Sequence, residues 1–145
     1  MIDIDELRER LVGMQLPEGQ YRVLDFQSWL HADALGSPTL PEGVLHPMWV
    51  FNAALSGAGI TVDGLFALAD ITMDDGPMGG EMEMRQVRPL RVGEALTVRA
   101  TITDIERKQG RSGIFDRMTS EATISDEADE VVGVVTNVYI FPRRA

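Results

Sequence analysis

The clearest pattern in the chain is the alternation of apolar and polar residues along its last third. In residues 94–105, Leu96, Val98, Ala100 and Ile102 face one way while threonines and Arg99 face the other. This period of two is typical of a strand with one buried face. The alternation returns in residues 115–125, and an apolar run ends at Pro142. Three such segments joined by short connections predict an antiparallel meander.

Polar and glycine-rich stretches separate these segments. Residues 106–113 are predicted to form a hairpin loop, and residues 125–130 an acidic turn. A further strand is expected from Gly80 to Val87. It ends at an Arg-Pro-Leu corner, because Pro89 lacks the N–H that a strand ladder needs. Gly93 has the backbone freedom to turn the chain into the next strand.

The first half of the chain has helical spacing instead. Residues 4–12 predict a short amphipathic helix, residues 20–24 a short strand, and Asp25 is the expected N-cap of a helix that Gly36 ends. Residues 48–55 are apolar on nearly all sides, so this helix is expected to be buried, with Pro47 in its first turn. Residues 56–79 are ambiguous: 60–71 suit a second helical piece, and 74–80 a turn.

These elements predict an α+β protein in which a curved antiparallel sheet of at least four strands wraps around a central apolar helix. That arrangement is the hotdog architecture, although a generic α+β sandwich produces the same periodicities. Residues 1–145 are expected to form one domain, with 1–19 as an N-terminal helical extension.

Composition narrows the classes of function. The net charge of −10 argues against nucleic acid as a partner, because neutralising phosphates needs a basic face. The absence of cysteine excludes disulfides and thiolate chemistry, and the two histidines have no metal-ligand spacing. No apolar run approaches the ~20 residues of a membrane span, and no signal peptide is visible. We expect a soluble, cytoplasmic protein.

The corner also carries a family resemblance. A strand, the Arg-Pro-Leu corner at 88–90, Val-Gly-Glu at 92–94, a long strand, and the Lys-x-Gly-Arg-x-Gly pattern at 108–113 follow one another in order. This set resembles the N-terminal, non-catalytic half of MaoC-like dehydratases and hydratases, the FAS1-like dehydratase region. The resemblance covers roughly residues 20–143.

Catalytic members of that family carry Asp-x-Asn-Pro-x-His after their first helix. Here Gly36-Ser37 stands where the Asp is expected, and no histidine follows Pro38 at the family's spacing. The resemblance therefore implies a subunit of an enoyl-thioester hydratase or 3-hydroxyacyl-thioester dehydratase of fatty acid or lipid metabolism. Such a subunit binds the acyl chain and supports a catalytic partner. Its substrate is an acyl-CoA or acyl-carrier thioester, it needs no cofactor, and it pairs with a second hotdog subunit or forms a homodimer.

The candidate substrate-binding residues lie at two places. His46, Trp49 and Phe51 surround the start of the apolar helix, where a thioester carbonyl is expected to accept backbone N–H bonds. Arg88 and Arg91, in a stretch that is locally basic, are candidates for a ligand phosphate. The other histidine of the chain is predicted on the exposed side of its helix.

Two alternatives remain open. Residues 64–70 loosely resemble the helix of hotdog acyl-CoA thioesterases, which would make Asp70 the group that activates water; His46 and Asp70 are the catalytic candidates. The other alternative is a non-enzymatic homodimer that binds acyl or other apolar ligands.

Overall fold

The computed structural model describes residues 2–143. It contains four α-helices and one 3-10 helix: α1 (Ile4–Leu11), α2 (Asp25–Ala34), α3 (Trp49–Ser56), α4 (Val62–Leu68) and η1 (Met73–Asp75). Its strands are β1 (Gly19–Tyr21), β2 (Met78–Gln86), β3 (Leu96–Gly110), β4 (Gly113–Ser125) and β5 (Val131–Arg143).

The five strands form one antiparallel sheet in the order β1-β3-β4-β5-β2. The predicted meander is therefore confirmed as β3-β4-β5, with one short strand added at one edge and β2 at the other. In register, Ala100 pairs with Ala122, and Ala122 with Val135, so one face of the sheet is apolar across all three strands.

The apolar helix α3 lies against this face and contacts β2, β3, β4 and β5. Val50 and Ala53 are completely buried there. Gly133 permits the close approach, because a Cβ at that position would lie 2.7 Å from Val50 Cγ1. A sheet packed around one buried helix is the hotdog fold, as the periodicities predicted.

The Arg-Pro-Leu corner is also confirmed. Leu90 is buried and its carbonyl accepts the Leu45 backbone N–H, while Gly93 takes a φ of +79° that favours glycine. The corner thereby joins the end of β2 to β3 over the loop that precedes α3.

Three local predictions were wrong. Residues 106–113 are mostly strand with a tight turn between Gly110 and Gly113, and β2 begins at Met78, inside the predicted turn. The N-cap of α2 is Leu24, whose backbone N–H donates to the side chain of Gln27; Asp25 is the first helical residue.

The N-terminal segment packs against β3. Leu7 and Leu11 of α1 are buried, and the following residues run along the strand, where Gly13 N–H donates to Ile102 O and Leu16 N–H to Ala100 O. The ambiguous stretch becomes helix α4, because Thr61 Oγ1 accepts the Gly64 N–H and caps it.

Candidate functional site

The backbone N–H groups at the start of α3 are hydrogen-bonded to acceptors in the segment that precedes them. His46 Nδ1 accepts the Met48 N–H at 3.1 Å, Trp49 N–H donates to His46 O, and Val50 N–H to Pro47 O. These three N–H groups are thus occupied inside the chain. The expectation that a thioester carbonyl binds them finds no support in this geometry.

Side chains from three elements meet over this helix start. The His31 ring of α2 lies 4.8 Å from the Trp49 ring and 5.6 Å from the His46 ring, measured between centroids. Tyr21 of β1 lies 6.4 Å from Trp49. Trp49 is only 7% exposed. The prediction that His31 is on the exposed side of its helix was wrong, since its ring is partly buried against this cluster.

Two nitrogen atoms of the cluster are buried without a hydrogen-bond partner. They are His31 Nδ1 and Trp49 Nε1, and no acceptor reaches either from within residues 2–143. Buried polar groups are normally paired, so each unpaired one calls for an explanation. Burial, and secondarily the neighbouring His46, lower the pKa of His31 below its ordinary value.

The other substrate-binding candidates are Phe51, Arg88 and Arg91. Phe51 is half-buried on α3 and packs against the core. Arg88 donates to Glu94 at 2.8 and 3.1 Å and to Asp126 at 3.2 Å, so its charge is balanced within the chain. Arg91 is exposed. Its backbone pairs with that of Val44, two residues before His46.

Asp70 lies just after α4, in the left-handed backbone region at φ 54°. Its side chain is 55% exposed and accepts from Arg10 Nη2 at 2.7 Å. A surface carboxylate held by an arginine is poorly placed to activate water in an apolar site. The helix against the sheet is α3, and Asp70 is not on it.

The loop after α2 borders an open groove of about 560 Å³ that is lined by Asp25, Asp33 and Glu42 among others. Residues 36–40, which the sequence resemblance sets against the catalytic loop of MaoC-like enzymes, contain no carboxylate and no imidazole. Ser37 Oγ donates to the neighbouring Pro38 carbonyl. The loop therefore holds no acid–base pair.

A second, small cavity lies between the end of α3, α4 and the sheet. Its volume is about 30 Å³, roughly the space of one water molecule. Thr61, Ser120, Asn137 and Tyr139 supply polar side chains to a lining that is apolar in the rest. Burial raises the pKa of Tyr139 above its ordinary value, so its hydroxyl stays protonated at neutral pH.

Among the described residues there is neither a candidate metal site nor a helix that could span a membrane. In residues 2–143, no three histidine, aspartate or glutamate side chains are grouped to hold a metal ion. None of the helices over that range is long and apolar enough to cross a bilayer.

The fold and this site define the class: a hotdog domain whose central helix begins in an aromatic, histidine-containing cluster. Residues 47–135 match the family model of the FAS1-like dehydratase domain region, which is more than half of the chain. The chain belongs to this family, and the sequence resemblance is confirmed. The matched residues run from the start of α3 into β5 and include the corner.

Solved structures agree on the fold. The HadBC (3R-hydroxyacyl-ACP dehydratase) complex from Mycobacterium tuberculosis aligns with a TM-score of 0.68 at 14% identity, over 90% of this chain and 96% of that one. The ChsH1–ChsH2 complex of the same organism gives 0.68 at 14%, over 97% and 89%. R-hydratase PhaJ1 from Pseudomonas aeruginosa gives 0.60 at 15%, over 95% and 86%. No curated protein matches the chain in sequence.

Proposed function

We propose that this chain is a non-catalytic hotdog subunit of an enoyl-thioester hydratase or 3-hydroxyacyl-thioester dehydratase. It binds the acyl part of the substrate and supports a catalytic partner. The observation that carries the proposal is the loop at residues 36–40, which has no ionisable side chain in a chain that belongs to a dehydratase family. Hydration needs a general base and a general acid, which the partner supplies.

The edge strand β2 is the surface proposed for that partner. It is the last strand of the sheet, so its outer backbone N–H and C=O groups have no strand beside them among residues 2–143. Met78 and Met82 of this strand are 55% and 45% exposed, and Val87 just after it is 55% exposed. An unpaired edge with apolar side chains favours a second sheet that continues it.

The ligand is proposed to be an acyl-CoA or acyl-carrier thioester, and the reaction uses no further cofactor. Support comes from the apolar surroundings of α3, where Trp49 and the half-buried Phe51 offer hydrocarbon contacts next to polar nitrogen atoms. Such a combination suits a molecule with an apolar chain and one polar group. Two of the structures with this fold are complexes of two named subunits.

The experiment mixes this chain with catalytic hotdog subunits that carry the Asp-x-Asn-Pro-x-His loop and measures both association and hydration of enoyl-CoA. We expect a complex in sedimentation velocity and a higher hydration rate than with the partner alone. If the partner is fully active alone and no complex forms, the proposal is wrong. A chain that forms only a homodimer and retains an apolar ligand would instead favour the non-enzymatic alternative.

A pair of matched variants locates the interface. Met82→Asp places a charge on the β2 edge and is expected to weaken association at least tenfold, because a charge buried at an interface without a partner is costly. Val12→Asp makes the same kind of change at a position that is 39% exposed, next to the segment that runs along β3 and away from the β2 edge, and should leave association unchanged. Equal effects of the two variants would exclude β2 as the interface.

A further inference from the structure

Two hydrogen-bond donors are left over in the cluster above α3. Trp49 Nε1 carries a hydrogen in every state of the side chain and never accepts. It is buried and, within residues 2–143, unpartnered. His31 Nδ1 is in the same condition. The rings that carry them are neighbours, with centroids 4.8 Å apart.

The tautomers of both histidines follow from their partners. Asn52 Nδ2 lies 3.3 Å from His31 Nε2, and an amide nitrogen only donates, so Nε2 accepts and the proton of neutral His31 is on Nδ1. His46 Nδ1 accepts the Met48 N–H, so the proton of neutral His46 is on Nε2. Burial keeps His31 neutral at pH 7, since its pKa lies below the ordinary 6.5. Both unpaired nitrogens are therefore neutral donors.

The element that covers this cluster is weakly attached. None of the residues of α2 is fully buried, and within the described range no ion pair joins α2 to the rest of the chain. Phe26, Trp29 and Leu30 of this helix are all more than half exposed. Because α2 itself carries His31, a small outward shift of this helix opens space between His31 and Trp49 without breaking a buried core, and a ligand then reaches both donors.

We propose that His31 and Trp49 form a side-chain donor pair that binds the carbonyl oxygen of an acyl thioester. The inference rests on the proposed function and names the atoms by which the subunit holds its ligand. The bound carbonyl accepts from Trp49 Nε1–H and His31 Nδ1–H, and the acyl chain runs along α3.

The chemistry of the pair selects a neutral acceptor. Both donors are uncharged, and the chain carries a net charge of −10, so an anion gains no balancing charge on entering this site. A metal ion is excluded, because neither a protonated imidazole nitrogen nor an indole nitrogen has a lone pair to offer. A thioester carbonyl satisfies two N–H donors through its two lone pairs and carries no charge.

The chain is well suited to a direct test, because its two tryptophans are Trp49 and Trp29, and its two histidines are His31 and His46. Proton–nitrogen correlation NMR of the full chain at neutral pH follows each indole N–H separately. The probe is the octenoyl thioester of N-acetylcysteamine, and its control is the octenyl thioether, which lacks only the thioester oxygen. We expect a downfield shift of the Trp49 N–H with the thioester alone, and no change at exposed Trp29.

Variants give a second readout. Trp49→Phe keeps an aromatic ring but removes the donor, and should weaken thioester binding by about three- to tenfold, the usual worth of one hydrogen bond. The same change should leave thioether binding unaltered. Trp29→Phe, on the exposed face of α2, should change neither. Equal losses for both ligands in Trp49→Phe mean that the ring packs and the donor is not used, which overturns the inference.

The remaining outcomes separate this inference from the proposed function. Thioester binding by calorimetry without a Trp49 response overturns the donor pair and leaves acyl binding intact. A Trp49 shift that appears on adding a catalytic subunit without thioester shows that the acceptor belongs to the partner, which also overturns it. Failure of the complex to bind the thioester at all overturns both.

Discussion

Arg88 illustrates how a residue that looks like a ligand contact is used inside the fold. Its guanidinium holds Glu94 through two bonds and Asp126 through a third, and donates to Pro89 O. The two carboxylates are each 18% exposed. Hydrogen bonding to Glu94, followed by bonding to Asp126, raises the pKa of Arg88 above its ordinary value. The clamp fixes the corner between β2 and β3.

Arg88→Met is expected to lower the free energy of unfolding by about 1–2 kcal/mol, because two half-buried carboxylates lose the guanidinium between them and keep only backbone N–H donors. Urea denaturation measures the change. Arg91→Met is the matched control, since Arg91 is exposed three residues away, and its loss should fall within about 0.5 kcal/mol. Comparable losses in the two variants would contradict the clamp.

His31 gives the expected dependence of stability on pH. Its pKa in the folded chain lies below the ordinary 6.5, because burial and then His46 disfavour the charged ring. Between the pKa of His31 in the folded chain and its ordinary value of 6.5, the unfolded chain therefore binds more protons. The stabilisation from neutral His31 is complete above about pH 6.5 and is lost as the pH falls through the pKa of the folded chain. The urea midpoint of His31→Gln should show a shallower fall below pH 6.5 than that of the unmodified chain. Identical slopes would mean that His31 does not titrate with folding.

Among the site residues, sequence alone indicated His46, Trp49 and Phe51, because they surround the start of an apolar helix. His31 was not indicated by the sequence. The apolar residues of α2, among them Trp29, suggest that their own side of the helix is buried, and that side does not include His31. In the structure those residues, Trp29 among them, are exposed, and His31 is the one that faces α3. Only tertiary packing reveals this, although the position of His31 two residues after Trp29 places it on a different side of the helix.

At the level of elements, Asp116 ties three strands together. This carboxylate is completely buried on β4 and accepts from Arg107 of β3 at 2.7 and 2.9 Å and from Arg143 of β5 at 2.7 Å. The two arginines also donate to the Ile2 and Ala69 carbonyls. One buried carboxylate thus connects the meander to the N-terminal segment and to the end of α4.

Asp116→Asn is expected to cost about 3–5 kcal/mol of unfolding free energy, because it leaves two arginines without their counter-charge in the interior. Asp104→Asn provides the control. Its partner Arg8 is 3.6 Å away and both side chains are about half exposed, so the cost should stay below about 1 kcal/mol. Chemical denaturation of both variants measures the difference, and a mild effect at position 116 would show that the network contributes little.

This network also explains why the continuation of β3 through residues 106–110 was not predicted. Arg107, Lys108 and Gln109 suggest a loop, yet they continue β3 in register with β4. Arg107 points inward, and its charge is stabilised there because Asp116 lies directly opposite on β4 and accepts its hydrogen bonds. An inward ion pair breaks the apolar alternation on which strand prediction depends. The central strands keep that alternation, and α3 is apolar on nearly all sides, so these elements were predicted correctly.

At the scale of the whole molecule, residues 2–143 form a hotdog domain in which the β2 edge has no further strand beside it. The loop at 36–40 has no acid–base group, and two buried donors above α3 have no partner within that range. The edge calls for another sheet, and the loop for catalytic groups from elsewhere. The function proposed above assigns both to one partner, a hotdog subunit that brings the general base. The family and the corner were evident from sequence; the unpaired edge emerged only from the strand order.

The central claim is that this chain contributes binding and not catalysis. The most direct measurement is the rate of enoyl-thioester hydration at a fixed concentration of a catalytic hotdog subunit, while the chain is added up to and beyond equimolar amounts. The account predicts no hydration by the chain alone and a rate that rises and saturates at a one-to-one ratio. Hydration by the isolated chain, or a partner rate that does not respond to it, would contradict the account.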